Sequence, residues 1–212
     1  GIVNEYIHVE RPDQEAVPSR QFDISKIDFD LLSREFAHTR RKNLLLRDLD
    51  ELVNQQLSKM MFANPQRIDY YDRYQEIIDA YNAEQNRATI EKTFMDLMEL
   101  ASSLDTEQQR YVREGFSSDE ELSVYDLLFS ENLTKQEIET IKKVSVDLLT
   151  KIKQQIAKLD HWTDKQETKA IVDNLIRNTL WQELPNSYDV SDIQTYQKKI
   201  YEYVYMRYPE VA

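Results

Sequence analysis

The stretch TKQEIETIKKVSVDLLTKIKQQI, residues 134–156, decides the fold. Thr134 and Glu137 stand at the spacing of a capping box, in which a hydroxyl and a carboxylate satisfy the first free N–H groups of a helix reciprocally. Behind them Ile138, Ile141, Leu148, Ile152, Ile156 and then Leu159 return at helical steps, so one apolar face runs along several turns.

The same punctuation repeats on both sides. Ser118 and Glu121 open a short helix through Tyr125 and Leu128. Thr163 and Gln166 are expected to open another, carrying Val172, Leu175, Ile176 and Leu180. Ser191 and Gln194 are expected to open the last, with Ile193, Tyr196, Ile200, Tyr203 and Val204. Toward the N-terminus, Asp28 caps a short helix reaching about His38. The next runs from about Lys42 to Phe62, with Leu45, Leu49, Leu52, Gln56 or Leu57, and Met60 along its stripe. Asn64-Pro65 restarts the chain as N-cap and first helical residue, ahead of Ile68, Tyr71, Tyr74, Ile77, Ile78 and Tyr81. A helix after Asn86 carries Ile90, Phe94, Leu97, Ala101 and Leu104. A break is expected over 102–106, then a turn of helix closed by Gly115 in the left-handed conformation.

Residues 1–20 hold Pro12 and Pro18 and no helical period; they read as a linker, with 2–9 a weak strand candidate. The opening glycine, in place of methionine, reads as a segment cut from a longer protein.

Only Gly1 and Gly115 are glycines. A β-rich or Rossmann-type protein needs many more for tight turns and phosphate loops. The expected fold is therefore an all-α helical bundle of about seven to nine helices, divided into sub-bundles at 21–115 and 116–212. Hydrophobic residues at 41% suffice for a sizeable core, and 31% charged residues match helices with solvated outer faces.

The formal charge of −12 repels DNA phosphate and anionic lipid unless a basic patch overcomes it. Without cysteine, neither a disulfide framework nor a thiolate metal site can form. No apolar run approaches the ~20 residues of a membrane span, and no signal peptide opens the chain. A cytoplasmic protein without membrane contact is the expectation. The sequon Asn132-Leu133-Thr134 reads as a helix lead-in.

A Walker loop or dinucleotide fingerprint is excluded by the missing glycines. Glu35 and His38 have the spacing of a di-iron half-site, but His8 and His161 supply no second copy, so a plain surface pair is favoured. Pro12-Asp13 and Glu167-Thr168-Lys169 can be stitched into a PD…ExK nuclease pattern. The latter sits inside an expected helix rather than on a strand beside the aspartate, so the match reads as chance. No catalytic, cofactor-binding or metal residue is assigned.

Arg40-Arg41-Lys42 is the candidate DNA contact, set against a solvated run that suits the C-terminal dipole end of the first helix. The last helix holds Tyr196, Tyr201, Tyr203, Tyr205 and Tyr208, which cannot all face one side. Tyrosine is enriched where proteins dock, and the choice between interface and core stays open here. Trp162 and Trp181 read as core anchors.

The stretch 22–32 (FDISKIDFDLL) with Arg41-Lys42-Asn43 resembles the start of the C-terminal region of type I restriction subunits. Asn64-Pro65-Gln66-Arg67, Tyr81-Asn82 through Ile90-Glu91, 122–128 (LSVYDLL), Leu133-Thr134 and Asp160-His161-Trp162 continue the likeness in order, from about residue 20 to about 182. The resemblance implies a parent subunit with a nuclease domain and two ATP-driven motor lobes, using ATP and Mg2+ and acting on DNA. It implies that the helical C-terminal region attaches the subunit to a methyltransferase core of modification and specificity subunits. Those catalytic motifs have no counterpart here, so the segment itself is expected to be a non-catalytic assembly domain. The alternatives are a helical domain guiding DNA to the motor and an unrelated helical adaptor.

Overall fold

The computed structural model describes residues 24–210. The linker and strand expected within 1–20, together with His8 and Pro12-Asp13, lie outside the described residues. Every regular element among those described is helical. The chain divides into two compact units, Gly1–Arg110 and Tyr111–Ala212.

In the first unit, a 3-10 turn at Ile24–Lys26 precedes α1 (Phe29–His38) and α2 (Lys42–Ala63). A second 3-10 turn, Pro65–Arg67, leads into α3 (Ile68–Ala83), and α4 is Arg87–Gln108. Both α2 and α3 pack on α4. The termini follow local chemistry. Asp28 Oδ1 accepts from the Leu31 amide at 3.0 Å and Asn86 Oδ1 from the Thr89 amide at 2.9 Å. Asn64 accepts from the Gln66 amide, so proline restarts the chain through a 3-10 turn before α3.

The stripe of α2 is displaced from expectation. Leu46, Leu49, Val53, Leu57 and Met60 are buried, whereas Leu45 and Leu52 lie at its margin. Adjacent apolar pairs (Leu45-Leu46, Leu52-Val53) make either register plausible in sequence, and packing on α4 selects one. The break expected over 102–106 is absent. Ala101 and Leu104 are buried there, and the Ser103 and Thr106 hydroxyls donate back to the Glu99 and Ser102 carbonyls inside the continuous helix. Phe36 stacks on Phe94 with ring centroids 3.7 Å apart, tying α1 to α4.

Polar groups also enter this core. Tyr74, fully buried, donates its Oη to Asp50 Oδ1 at 2.6 Å. Burial holds the Asp50 carboxyl above its usual range and pushes the Tyr74 phenol up, so tyrosine remains the donor. Glu107 takes the Arg67 Nε at 3.1 Å and the Arg110 Nε at 2.9 Å, with Arg67 and Glu107 both buried.

In the second unit, α5 (Arg110–Arg113, starting at the last residue of the first) closes at Gly115, whose φ of +84° is the left-handed cap expected. The helices α6 (Asp119–Leu128), α7 (Lys135–Ile156), α8 (Gln166–Glu183) and α9 (Val190–Arg207) follow. Contacts join α6 to α7, α7 to α8, α8 to α9 and α9 back to α6, closing a four-helix arrangement. Its core includes Leu122, Ile141, Leu148, Ile152, Trp162, Ile176 and Ile200. Each such side chain contributes about 1.5–3 kcal/mol of transfer free energy when fully buried.

Thr134 and Glu137 form the capping box on α7, and Glu137 also accepts from the Ser187 hydroxyl. The remaining boxes depart from expectation. On α6, Ser118 caps the Glu121 amide, but Glu121 reaches the Ser117 amide, one residue earlier. On α9 the box is Asp189 with Asp192, not Ser191 with Gln194, because Tyr188 is drawn in to donate to the Leu128 carbonyl and the free turn starts directly after it. On α8 neither Thr163 nor Gln166 caps. Burial of Trp162 turns the chain through His161 at φ +46°, and Lys165 becomes the residue before the helix.

Candidate protein-docking surfaces

The five tyrosines sort by depth. Tyr203 and Tyr208 are buried in the core of the second unit, Tyr196 and Tyr201 are half-buried against it, and Tyr205 is exposed. Burial raises the Tyr203 and Tyr208 phenols above their ordinary value. Tyr203 and Tyr208 therefore offer a partner little area, and the aromatic cluster on α9 is largely internal.

Its organiser is Trp162. The indole is fully buried, donates Nε1 to the Tyr208 carbonyl at 2.6 Å, and meets Tyr201 and Tyr205 edge-on at centroid distances of 6.1 and 5.8 Å. Thr168 donates to the Trp162 carbonyl, and His161 Nδ1 lies 3.1 Å from Glu210 Oε1. Asp160-His161-Trp162 thus builds a clasp that seats the end of α9 on the approach to α8.

Trp181 corrects its assignment as a core anchor: it is 49% exposed. Beyond its first turn, the exposed residues of α8 are Ala170, Ile171, Asn174, Arg177, Asn178, Trp181 and Gln182. Arg177 alone among them is charged. In a chain whose composition is 31% charged, this strip has the makeup of an interface core, depleted of carboxylates and lysines and carrying an aromatic and an arginine.

Arg40 and Arg41 are exposed, whereas Lys42 turns inward. Its Nζ donates to the Phe36 carbonyl at 2.7 Å and lies 4.3 Å from the Phe36 ring centroid, closing the C-terminal end of α1. Glu35 and His38 sit exposed on α1, and Glu167-Thr168-Lys169 occupies the first turns of α8. No group of three or more metal-ligating side chains occurs among the described residues. No helix among them is long and apolar enough to cross a membrane.

Two all-α units of this kind define a helical domain. Comparison with protein families matches residues 15–208 to the type I restriction enzyme HindI endonuclease subunit-like, C-terminal family, and the chain belongs to that family. No curated protein and no solved structure matches it.

Proposed function

We propose that this chain is the non-catalytic assembly region of a type I restriction endonuclease subunit, docking it onto the methyltransferase core of modification and specificity subunits. ATP and Mg2+ then serve motor and nuclease parts outside this segment, DNA is met through the assembled complex, and the complex works in the cytoplasm. The observation that carries the reading is the strip on α8, where Trp181 stands half-exposed among residues of which Arg177 alone is charged. Leaving so large a ring in water gains nothing for the isolated fold, whereas a partner that covers it gains its area.

The test titrates the chain with the purified methyltransferase complex and, separately, with a DNA duplex at physiological salt. Association with the methyltransferase complex is expected, weakened about tenfold or more by Trp181→Ala. DNA binding is expected to be weak and non-specific, since 27 Lys and Arg face 39 carboxylates. Tight DNA binding without methyltransferase association would overturn the reading. Magnesium-dependent nicking by the chain, abolished by Glu167→Gln, would overturn its non-catalytic half.

A further inference from the structure

Between α1 and α2 lies a groove of about 600 Å³ within the first unit. Its floor is apolar: Ile27, Leu31, Leu32, Leu45, Leu49 and Leu52. Leu31 is 49% exposed, and Ile27, Leu32, Leu45 and Leu52 are only partly covered. The rim is acidic, with Asp28, Glu35, Asp48 and Glu51 set against one lysine, Lys26. All four carboxylates belong to exposed residues.

We infer that this groove takes a basic amphipathic helix of a partner protein. The floor asks for apolar side chains and the rim for lysine or arginine, and one helix with opposite faces of those two kinds meets both demands. The walls are two helical surfaces that offer no strand edge, so a helix laid between ridges fits better than an extended segment. At ten residues α1 is ~15 Å long, which sets the contact at about three turns of the incoming helix. The same rim repels DNA phosphate and anionic lipid headgroups. A second copy of this chain, at a formal charge of −12, would bring further carboxylates to it.

One wall, formed by Lys26, Ile27, Asp28, Leu31 and Leu32, comes from the chain entering α1 and from its first turn. Of α1 itself, only Phe36 is buried. Ile27 and Leu32 pack partly against the core of this unit, and Leu31 is left exposed on the groove wall. The inference rests on the assembly reading only in taking the methyltransferase core as the source of the helix.

The probe is a 14-residue leucine–lysine amphipathic peptide, with a leucine–glutamate counterpart as control, titrated into the intact chain by fluorescence anisotropy. The lysine peptide is expected to bind in the micromolar range and the glutamate peptide not to bind. Leu31→Asp, and separately Asp48→Lys with Glu51→Lys, should each weaken binding about tenfold; all three sites are exposed, and circular dichroism checks that the fold is kept. No binding, or equal binding to every variant, overturns the proposal. In a second arm the same variants are titrated with the methyltransferase complex. Tenfold loss there supports the groove as its docking site, whereas undiminished association overturns the groove as the docking element and leaves the assembly reading standing. Peptide binding that depends on the groove, with no methyltransferase association by the wild type, supports the groove and removes that reading.

Discussion

The indole Nε1 of Trp162 donates a 2.6 Å hydrogen bond to the main-chain carbonyl of Tyr208, 46 residues later. Trp162→Phe keeps a ring in the pocket and removes the donor, leaving a buried carbonyl without that partner. A loss of about 1–3 kcal/mol is expected, against about 3–5 kcal/mol for Trp162→Ala, which also opens a cavity. Urea denaturation checks both, as a lower midpoint at unchanged slope.

Asp50 gives the first unit a pH dependence. Burial raises its folded-state pKa, so its contribution to stability is full below the ordinary carboxylate range and is lost as pH rises through the raised value. Asp50→Asn keeps an acceptor for Tyr74 and removes the charge. The variant should therefore exceed the wild type in stability at neutral pH, with the difference fading in acid. Tyr74→Phe should act oppositely, costing about 1–3 kcal/mol because the buried carboxyl loses its donor. Thermal melts across the carboxylate range read both signs.

Glu107 holds the buried Arg67 and the nearby Arg110 together. Removing it alone takes the carboxylate from a buried guanidinium that keeps its bond to the Met60 carbonyl, and Glu107→Ala should cost about 3 kcal/mol. The double change Arg67→Met with Glu107→Leu should cost much less than the sum of the single changes. A double-mutant cycle in urea measures the difference, and simple additivity would show that the pair does not couple.

Thr134→Ala removes one half of the box that opens α7 and should cost about 1 kcal/mol. Glu137, the other half, has its pKa lowered by the Ser187 hydroxyl and by the Thr134 bonds. Its contribution is present above the ordinary carboxylate range and disappears as pH falls through the lowered value. Glu137→Gln should therefore destabilise at neutral pH and match the wild type in strong acid, as followed by helical circular dichroism.

What was legible in the sequence was local. Thr134 with Glu137, Asp28 and Asn86 cap where they stand because a cap is settled within three residues. The same three-residue spacing misled at Thr163, where the path of the chain is governed by a tryptophan that must be buried, and at Ser191, where Tyr188 sets the start. Serines and threonines over 102–106 looked like a break because their hydroxyls compete for the backbone; inside a packed helix they bond back to it instead. Asp50 with Tyr74 and Arg67 with Glu107 were out of reach, since 24 and 40 residues separate the partners. The candidate site divided likewise. Composition points to tyrosines that are largely internal in the structure, whereas Trp181 reads as inward-facing in the sequence because a helix carrying two neighbouring apolar registers does not say which one faces the core.

The Trp162–Tyr208 clasp also carries an expectation about the order of folding. Its two ends meet only after the intervening chain has been drawn into a closed loop, an entropic cost that no local helix propensity offsets. The bond between Tyr188 and the Leu128 carbonyl closes a loop of 60 residues on the same unit. Helices α6 to α9 can each form early, but the last turn of α9 is held by contacts that come only with the assembled bundle. That turn is therefore expected to fasten late in folding, an order that amide hydrogen exchange pulsed during refolding would read.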